Sequence, residues 1–269
     1  MNIGLDYTLG LSSGVVITPD DIQGGSETQT HTAMFRVEYV PIEKLAVDLA
    51  LPLIAIKYTG EMEHMPPGEW DDGDLHAAIQ DLEIGASYAL LSEPLHITPR
   101  LAFIIPIMDY PTQGFAAIGR HLKQVQLGAT LARSLDPIAP NLFFQGSYHF
   151  TLSERFDETA ETEDIQQHRS NLGFMIGYFF LDGALSIGLA TNIQRYHGGV
   201  KFETFDQYTP DQQMFHDALL DEDFIYVGGD VNYQINDKLS VGVLLRFFVH
   251  GSSTRDQNLY GLSFGYKVL

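Results

Sequence analysis

No cysteine occurs in the 269 residues. Disulfides, thiolate metal sites and cysteine nucleophiles are therefore excluded. Basic residues are scarce: 15 Lys and Arg stand against 35 Asp and Glu, a net charge of −20. Such a surface repels polyanions, which excludes nucleic acid as a partner. Long hydrophobic runs are also missing. No stretch reaches the roughly 18 consecutive apolar residues of a membrane helix, and the apolar patch Leu101–Met108 is broken by Pro106. The N-terminus, Met1-Asn2-Ile3-Gly4-Leu5-Asp6, has neither the basic residues nor the apolar core of a secretory leader.

Apolar residues are nevertheless plentiful, at 45% of the chain with a mean hydropathy of −0.03. They are dispersed, and the dispersal has period two. In Asp81–Ile107, the residues Leu82, Ile84, Ala86, Tyr88 and Leu90 alternate with Asp81, Glu83, Gly85, Ser87 and Ala89. After Ser92-Glu93-Pro94-Leu95, Ile97, Leu101, Phe103, Ile105 and Ile107 alternate with Thr98, Arg100 and Ala102. Side chains on a strand alternate between faces, so this is a hairpin with one apolar and one polar face. Each arm has roughly 10–12 residues, near the length of a tilted strand that crosses a bilayer.

The pattern recurs from end to end. Ile3, Leu5, Tyr7, Leu9 and Leu11 form the first apolar face, and Tyr260, Leu262, Phe264, Tyr266 and Val268 the last. Thr18–Thr28 reads as a polar loop, Gly60–His76 as a long acidic loop around Trp70, and Gly198–Asp221 as the longest loop, with a short helix around Asp211–Leu220. About twelve strands result, with short turns and longer polar loops alternating between them. That layout predicts an all-β fold: one transmembrane antiparallel β-barrel over residues 1–269, with short periplasmic turns and long extracellular loops. The expected location is the bacterial outer membrane, with lipid and lipopolysaccharide as surroundings. A barrel needs a leader to get there, so the expectation is a mature chain with Met1 added.

The string Asp81-Leu82-Glu83-Ile84-Gly85-Ala86-Ser87-Tyr88 resembles a segment typical of the MetA-pathway phenol-degradation outer-membrane family. Thr98-Pro99-Arg100-Leu101, Ile105-Pro106, Pro111-Thr112 and Ile118-Gly119 extend the likeness, whereas Pro106-Ile107-Met108-Asp109 departs from that family's pattern. The resemblance implies a transporter-like outer-membrane barrel, in some members linked to uptake of aromatic compounds. It carries no catalytic residues.

The polar faces place Asp6, Arg36, Glu38, Asp48, Asp81, Glu83, Arg100, Asp230, Arg246 and Lys267 in the lumen. As a selectivity constriction, Arg36, Arg100 and Arg246 would face carboxylates across the pore. Two readings stay open: a selectivity constriction, and a charge-paired filling that stabilises a narrow barrel. For hydrolysis on the lipid face, His149-Phe150-Thr151 is the nearest constellation, but His149 and Thr151 fall on the lumen side. No catalytic residue, metal ligand or cofactor is assigned. His64, His76, His121, His197 and His216 lack paired ligand spacing and read as surface histidines. The acidic clusters Asp71-Asp72-Gly73-Asp74 and Asp221-Glu222-Asp223 read as solvated loops, with divalent-ion binding as the other possibility. The functional expectation is a channel, not an enzyme, for passive passage of small solutes, hydrophobic or aromatic ones included. The alternative is a non-transporting structural barrel that anchors a partner through its loops.

Overall fold

The computed structural model describes residues 1–268; Leu269, which breaks the alternation of the last strand, lies outside them. The chain forms a closed antiparallel barrel of 12 staves. In chain order these are β1 (Asn2–Thr18), β2 (Asp21–Ile42), β3 (Leu45–Tyr58), β4 in two segments (Leu75–Ile79 and Leu82–Tyr88), β5 (His96–Ile105) and β6 (Gln124–Ser134). Then follow β7 (Leu142–Ser153), β8 (His168–Phe180), β9 (Leu185–His197), β10 (Asp223–Gln234), β11 (Leu239–Ser252) and β12 (Asn258–Lys267). A two-residue extension, Thr254–Arg255, pairs with β1 beside β12. Closure is made by β1, which pairs with β12 from Asn2↔Lys267 to Leu11↔Asn258 and with β2 along its other edge. Closing the sheet leaves no open edge, the condition for crossing a bilayer with strands.

The period-two alternation places the apolar residues outside. Leu5, Phe35, Leu49, Leu101, Leu127, Leu172, Phe174, Leu189, Val243, Leu262 and Phe264 are all solvent-exposed. Singly they would be unremarkable; as a continuous belt around a barrel they match a lipid-facing band. Near the turn ends the belt finishes in Tyr39, Tyr88, Tyr178, Tyr233 and Tyr266, all exposed, as in an interfacial aromatic girdle.

Two elements differ from the sequence expectation. Thr18–Thr28 is not a loop: β1 and β2 run on as a hairpin, with Val15↔Gln23 and Val16↔Ile22 paired up to the turn at Thr18↔Asp21. Above the membrane the outer face has no lipid to meet, so exposed polar residues such as Glu27 and Gln29 replace apolar ones and the alternation is lost, while Val15 and Val16 are buried. The second difference is a break in β4. β3 pairs Leu53↔Ile79 but Ala50↔Glu83, one residue out of step. The slip sits opposite Pro52, which has no N–H to give to the ladder. Its effect is that Gln80 and Asp81, adjacent in sequence, both turn inward.

The buried apolar cluster lies inside the barrel at its loop end. Val15, Ile54, Ile56 and Tyr58 from the wall meet Tyr110, Phe115, Ala116 and Ile118 from the β5–β6 loop. The long loops therefore fold into the barrel mouth.

Candidate functional site: a loop-plugged lumen

The plug is hung from the wall and from neighbouring loops by three sets of hydrogen bonds. At the β4 bulge, Gln80 Nε2 donates to the Ile118 carbonyl at 2.8 Å, and the Tyr110 hydroxyl donates to Asp81 Oδ1 at 2.5 Å. From the β3–β4 loop, the Asp71 carboxylate accepts the amides of Phe115 at 2.9 Å and Ala116 at 2.7 Å. From the β9–β10 loop, Asp217 Oδ2 accepts the Gly114 amide at 2.8 Å. Burial and the Asp81 carboxylate push the Tyr110 phenol well above its ordinary value, so it remains a donor.

The β9–β10 loop adds two short helices, α1 (Pro210–Met214) and α2 (His216–Leu219). Thr209 caps α1 in a reciprocal capping box with Gln212, and Pro210 opens the helix. These turns bury His216, Ala218 and Leu219. His64, from the β3–β4 loop, stacks on His216 with ring centroids 4.9 Å apart, and its Nε2 lies 3.1 Å from Asp217 Oδ2. Burial pulls the His64 ring down, but the contact with Asp217 outweighs it and holds the ring above the usual histidine range.

The plug and the barrel wall together line a cavity of about 770 Å³. Its walls are mixed: Ile54, Ile56, Phe115, Phe202, Phe205 and Phe224 on the apolar side, and Arg120, Arg169 and Arg255 among the polar groups. Arg120 is held by Glu222 at 3.0 Å and lies 4.4 Å over the Tyr196 ring, whereas Arg169 bonds Gln124 and Tyr196. Arg255 makes its side-chain hydrogen bond to Thr28 Oγ1 at 3.5 Å and forms no ion pair among the described residues. Toward the turn end, the inward-facing Arg36, Gln145 and Asn232 are exposed, so that part of the lumen is wet.

The expected lumen residues separate into three groups. Arg100 on β5 holds Asp48 on β3 and Glu83 on β4, with Nη2 2.8 Å from Asp48 Oδ2 and 2.5 Å from Glu83. Arg246 Nη2 on β11 donates to both carboxylate oxygens of Asp230 on β10, at 2.8 and 3.1 Å, and its Nε donates to Asn192 Oδ1 on β9 at 2.7 Å. Both arginines thus pair along the wall with groups one and two staves away, not across the pore as the constriction reading had them. Alternate residues on neighbouring staves are closer than opposite walls, and small residues leave the path clear: a Cβ on Gly85 would lie 2.2 Å from Arg100 Nη2. Asp81 lines the cavity as a plug anchor. The third group, Asp6, Arg36, Glu38 and Lys267, sits toward the turn end. There Glu38 accepts from Asn2 at 2.7 Å, and Asp6, Arg36 and Lys267 form no ion pair among the described residues.

Several expectations are corrected. His64 and His216 are not surface histidines; their side chains are 6% and 8% exposed. Asp71 is a structural acceptor rather than part of a solvated run, and Asp221 is buried. Asp223 is tied to Arg195 and to the Tyr196 amide at 2.8 Å. On the lipid face, Ser170 Oγ lies 2.8 Å from His197 Nε2 and 3.0 Å from the Tyr148 hydroxyl, a pair the sequence reading missed. No third group bonds His197 Nδ1 among the described residues, so the pair lacks the orienting partner of a hydrolytic triad. One signal could have exposed the plug: Phe115-Ala116-Ala117-Ile118 is too apolar for a solvated loop.

The sequence matches no protein-family model and no curated protein sequence. Solved structures do match in shape. The crystal structure of the COG4313 outer membrane channel from Pseudomonas putida F1 is similar with a TM-score of 0.74 at 12% identity, covering 98% of this chain and 94% of that one. The β domain of the Bordetella autotransporter BrkA is similar at a TM-score of 0.56 and 8% identity, covering 99% of each chain. The NanC porin is similar at 0.54 and 8%, covering 98% of this chain and all (100%) of the other. At these identities the likeness establishes the fold, which is that of outer-membrane β-barrels.

Proposed function

We propose that this chain is an outer-membrane channel for passive passage of small solutes, hydrophobic and aromatic ones included. The observation that carries the reading is the interior: a cavity of about 770 Å³ lined by the plug and the wall, and a wet turn-end lumen. That volume lies within the range of about 300–1,000 Å³ that holds small molecules. A barrel serving only as an anchor has no need of it. The aromatic part of the lining favours flat apolar solutes, and the arginines favour those with a polar or anionic end. The loop end faces outside and the turn end the periplasm, following the general pattern of such barrels. The resemblance to the phenol-pathway family and the channel named among the structural relatives point the same way.

Single-channel conductance of the refolded protein in planar bilayers tests this, with Arg36→Ala alongside. Discrete steps whose size or ion selectivity changes on removing Arg36 support a pore lined as described. Silence from protein shown to be folded by heat-modifiable gel migration excludes an ion-conducting pore. The firmly tied plug would then favour the structural barrel.

A further inference from the structure

We propose that His64, His216 and Asp217 form a binding site for a divalent transition metal of the zinc class, joining the β3–β4 loop to the β9–β10 loop across the barrel mouth. Their donor atoms all lie within 4.8 Å of one another. His64 Nε2 is 3.1 Å from Asp217 Oδ2, and His216 Nε2 is 3.4 Å from Asp217 Oδ1. Metal–ligand bonds of about 2.0–2.2 Å in a tetrahedral zinc site separate neighbouring ligand atoms by about 3.3–3.5 Å. Both histidine–carboxylate separations are therefore close to their bound spacing before any ion arrives.

The tautomers are also set. His64 Nδ1 lies 2.6 Å from the Pro66 carbonyl and His216 Nδ1 lies 2.8 Å from the Gln213 carbonyl. A carbonyl oxygen only accepts, so each Nδ1 carries the proton and each Nε2 turns toward Asp217 and the other ring. This is the outer-shell arrangement that orients metal-binding histidines. One dication shared by both Nε2 atoms and the Asp217 carboxylate would be flanked by two rings whose centroids lie 4.9 Å apart. Phe115, Phe202 and Phe205 present their rings to the two histidines and keep bulk water away. Two imidazoles and one carboxylate suit zinc and its neighbours better than calcium or magnesium, which prefer oxygen. All three residues line the cavity, which leaves a fourth coordination position directed toward its contents.

The test is a Zn²⁺ titration of refolded, chelator-stripped protein against a chromophoric competitor, repeated with Co²⁺ to read its visible absorption. One ion per chain is expected, with the intense spectrum of four-coordinate Co²⁺. His64→Ala and His216→Ala should each weaken binding by at least about 100-fold, the upper end of the loss from removing even an outer-shell partner. His197→Ala, outside the cluster, should leave it unchanged. X-ray absorption on the zinc-loaded wild type serves if a variant fails to fold, and should find two imidazole ligands. Absence of stoichiometric binding, binding that survives both histidine substitutions, or a bound ion without two imidazoles would overturn the assignment.

Discussion

Replacing Arg100 by alanine removes the single cation that holds two carboxylates on neighbouring staves. Asp48 is 5% exposed, and Arg100 contacts it with both terminal nitrogens while also reaching Glu83 at 2.5 Å. Without the guanidinium, two negative charges remain on a low-dielectric wall with no partner. Breaking a buried pair by removing one member costs about 3–5 kcal/mol, most of it the penalty of the stranded charge. Asp48→Asn in the same background removes part of that penalty, so the two substitutions couple by about 0.5–3 kcal/mol in a double-mutant cycle. Urea unfolding in lipid vesicles measures both, read by the fluorescence of Trp70, the one tryptophan, and by gel migration. A loss below about 1 kcal/mol, as for a solvated surface pair, or an absent coupling would refute the claim that this clamp holds three staves together.

Three further outcomes are expected. Leu101→Arg puts a charge in the middle of the lipid-facing belt and should cost about 2–4 kcal/mol in vesicles; a neutral result would contradict the assigned outer face. Asp71→Ala frees the Phe115 and Ala116 amides and should cost about 1–3 kcal/mol, with larger or noisier conductance and faster proteolysis near Gly114; unchanged cleavage would argue that this anchor is dispensable. Asp256 sits above the membrane belt. Burial pushes its carboxyl up, but hydrogen bonds from the Ser13 and Ser12 hydroxyls and the Gly14 and Ser13 amides outweigh it and leave it below the usual range. A depressed folded value stabilises the native state above the unfolded pKa of about 3.9, and that share is lost as pH falls through the folded value. Asp256→Asn should flatten this part of the stability profile between about pH 5 and pH 2, measured by denaturant midpoints.

The barrel was legible because its chemistry is periodic. Lipid on one side and water on the other force alternate residues to differ, so Leu82, Ile84 and Ala86 against Glu83 and Gly85 declare a strand without any partner in view. The same rule assigned Arg100, Asp48, Glu83, Arg246 and Asp230 to the inner face. It could not name their partners, because pairing depends on register, and register on how twelve staves close. Nor could it read the upper part of the β1–β2 hairpin, where the outer face meets water and exposed polar residues such as Glu27 and Gln29 replace apolar ones.

The plug shows where sequence alone stops. Tyr110 meets Asp81, Asp71 meets Phe115, and His64 meets His216 and Asp217 across 29, 44 and about 150 residues of chain. Nothing in the spacing of those residues records the meeting. A one-residue slip opposite Pro52 turns both Gln80 and Asp81 inward, and that slip exists only once β3 and β4 are paired. The sequence by itself determined that the chain is a transmembrane barrel, because lipid imposes its period on every strand. Only the tertiary structure decided that its loops fold inside, because inward loops are fixed by contacts between segments that no local pattern links.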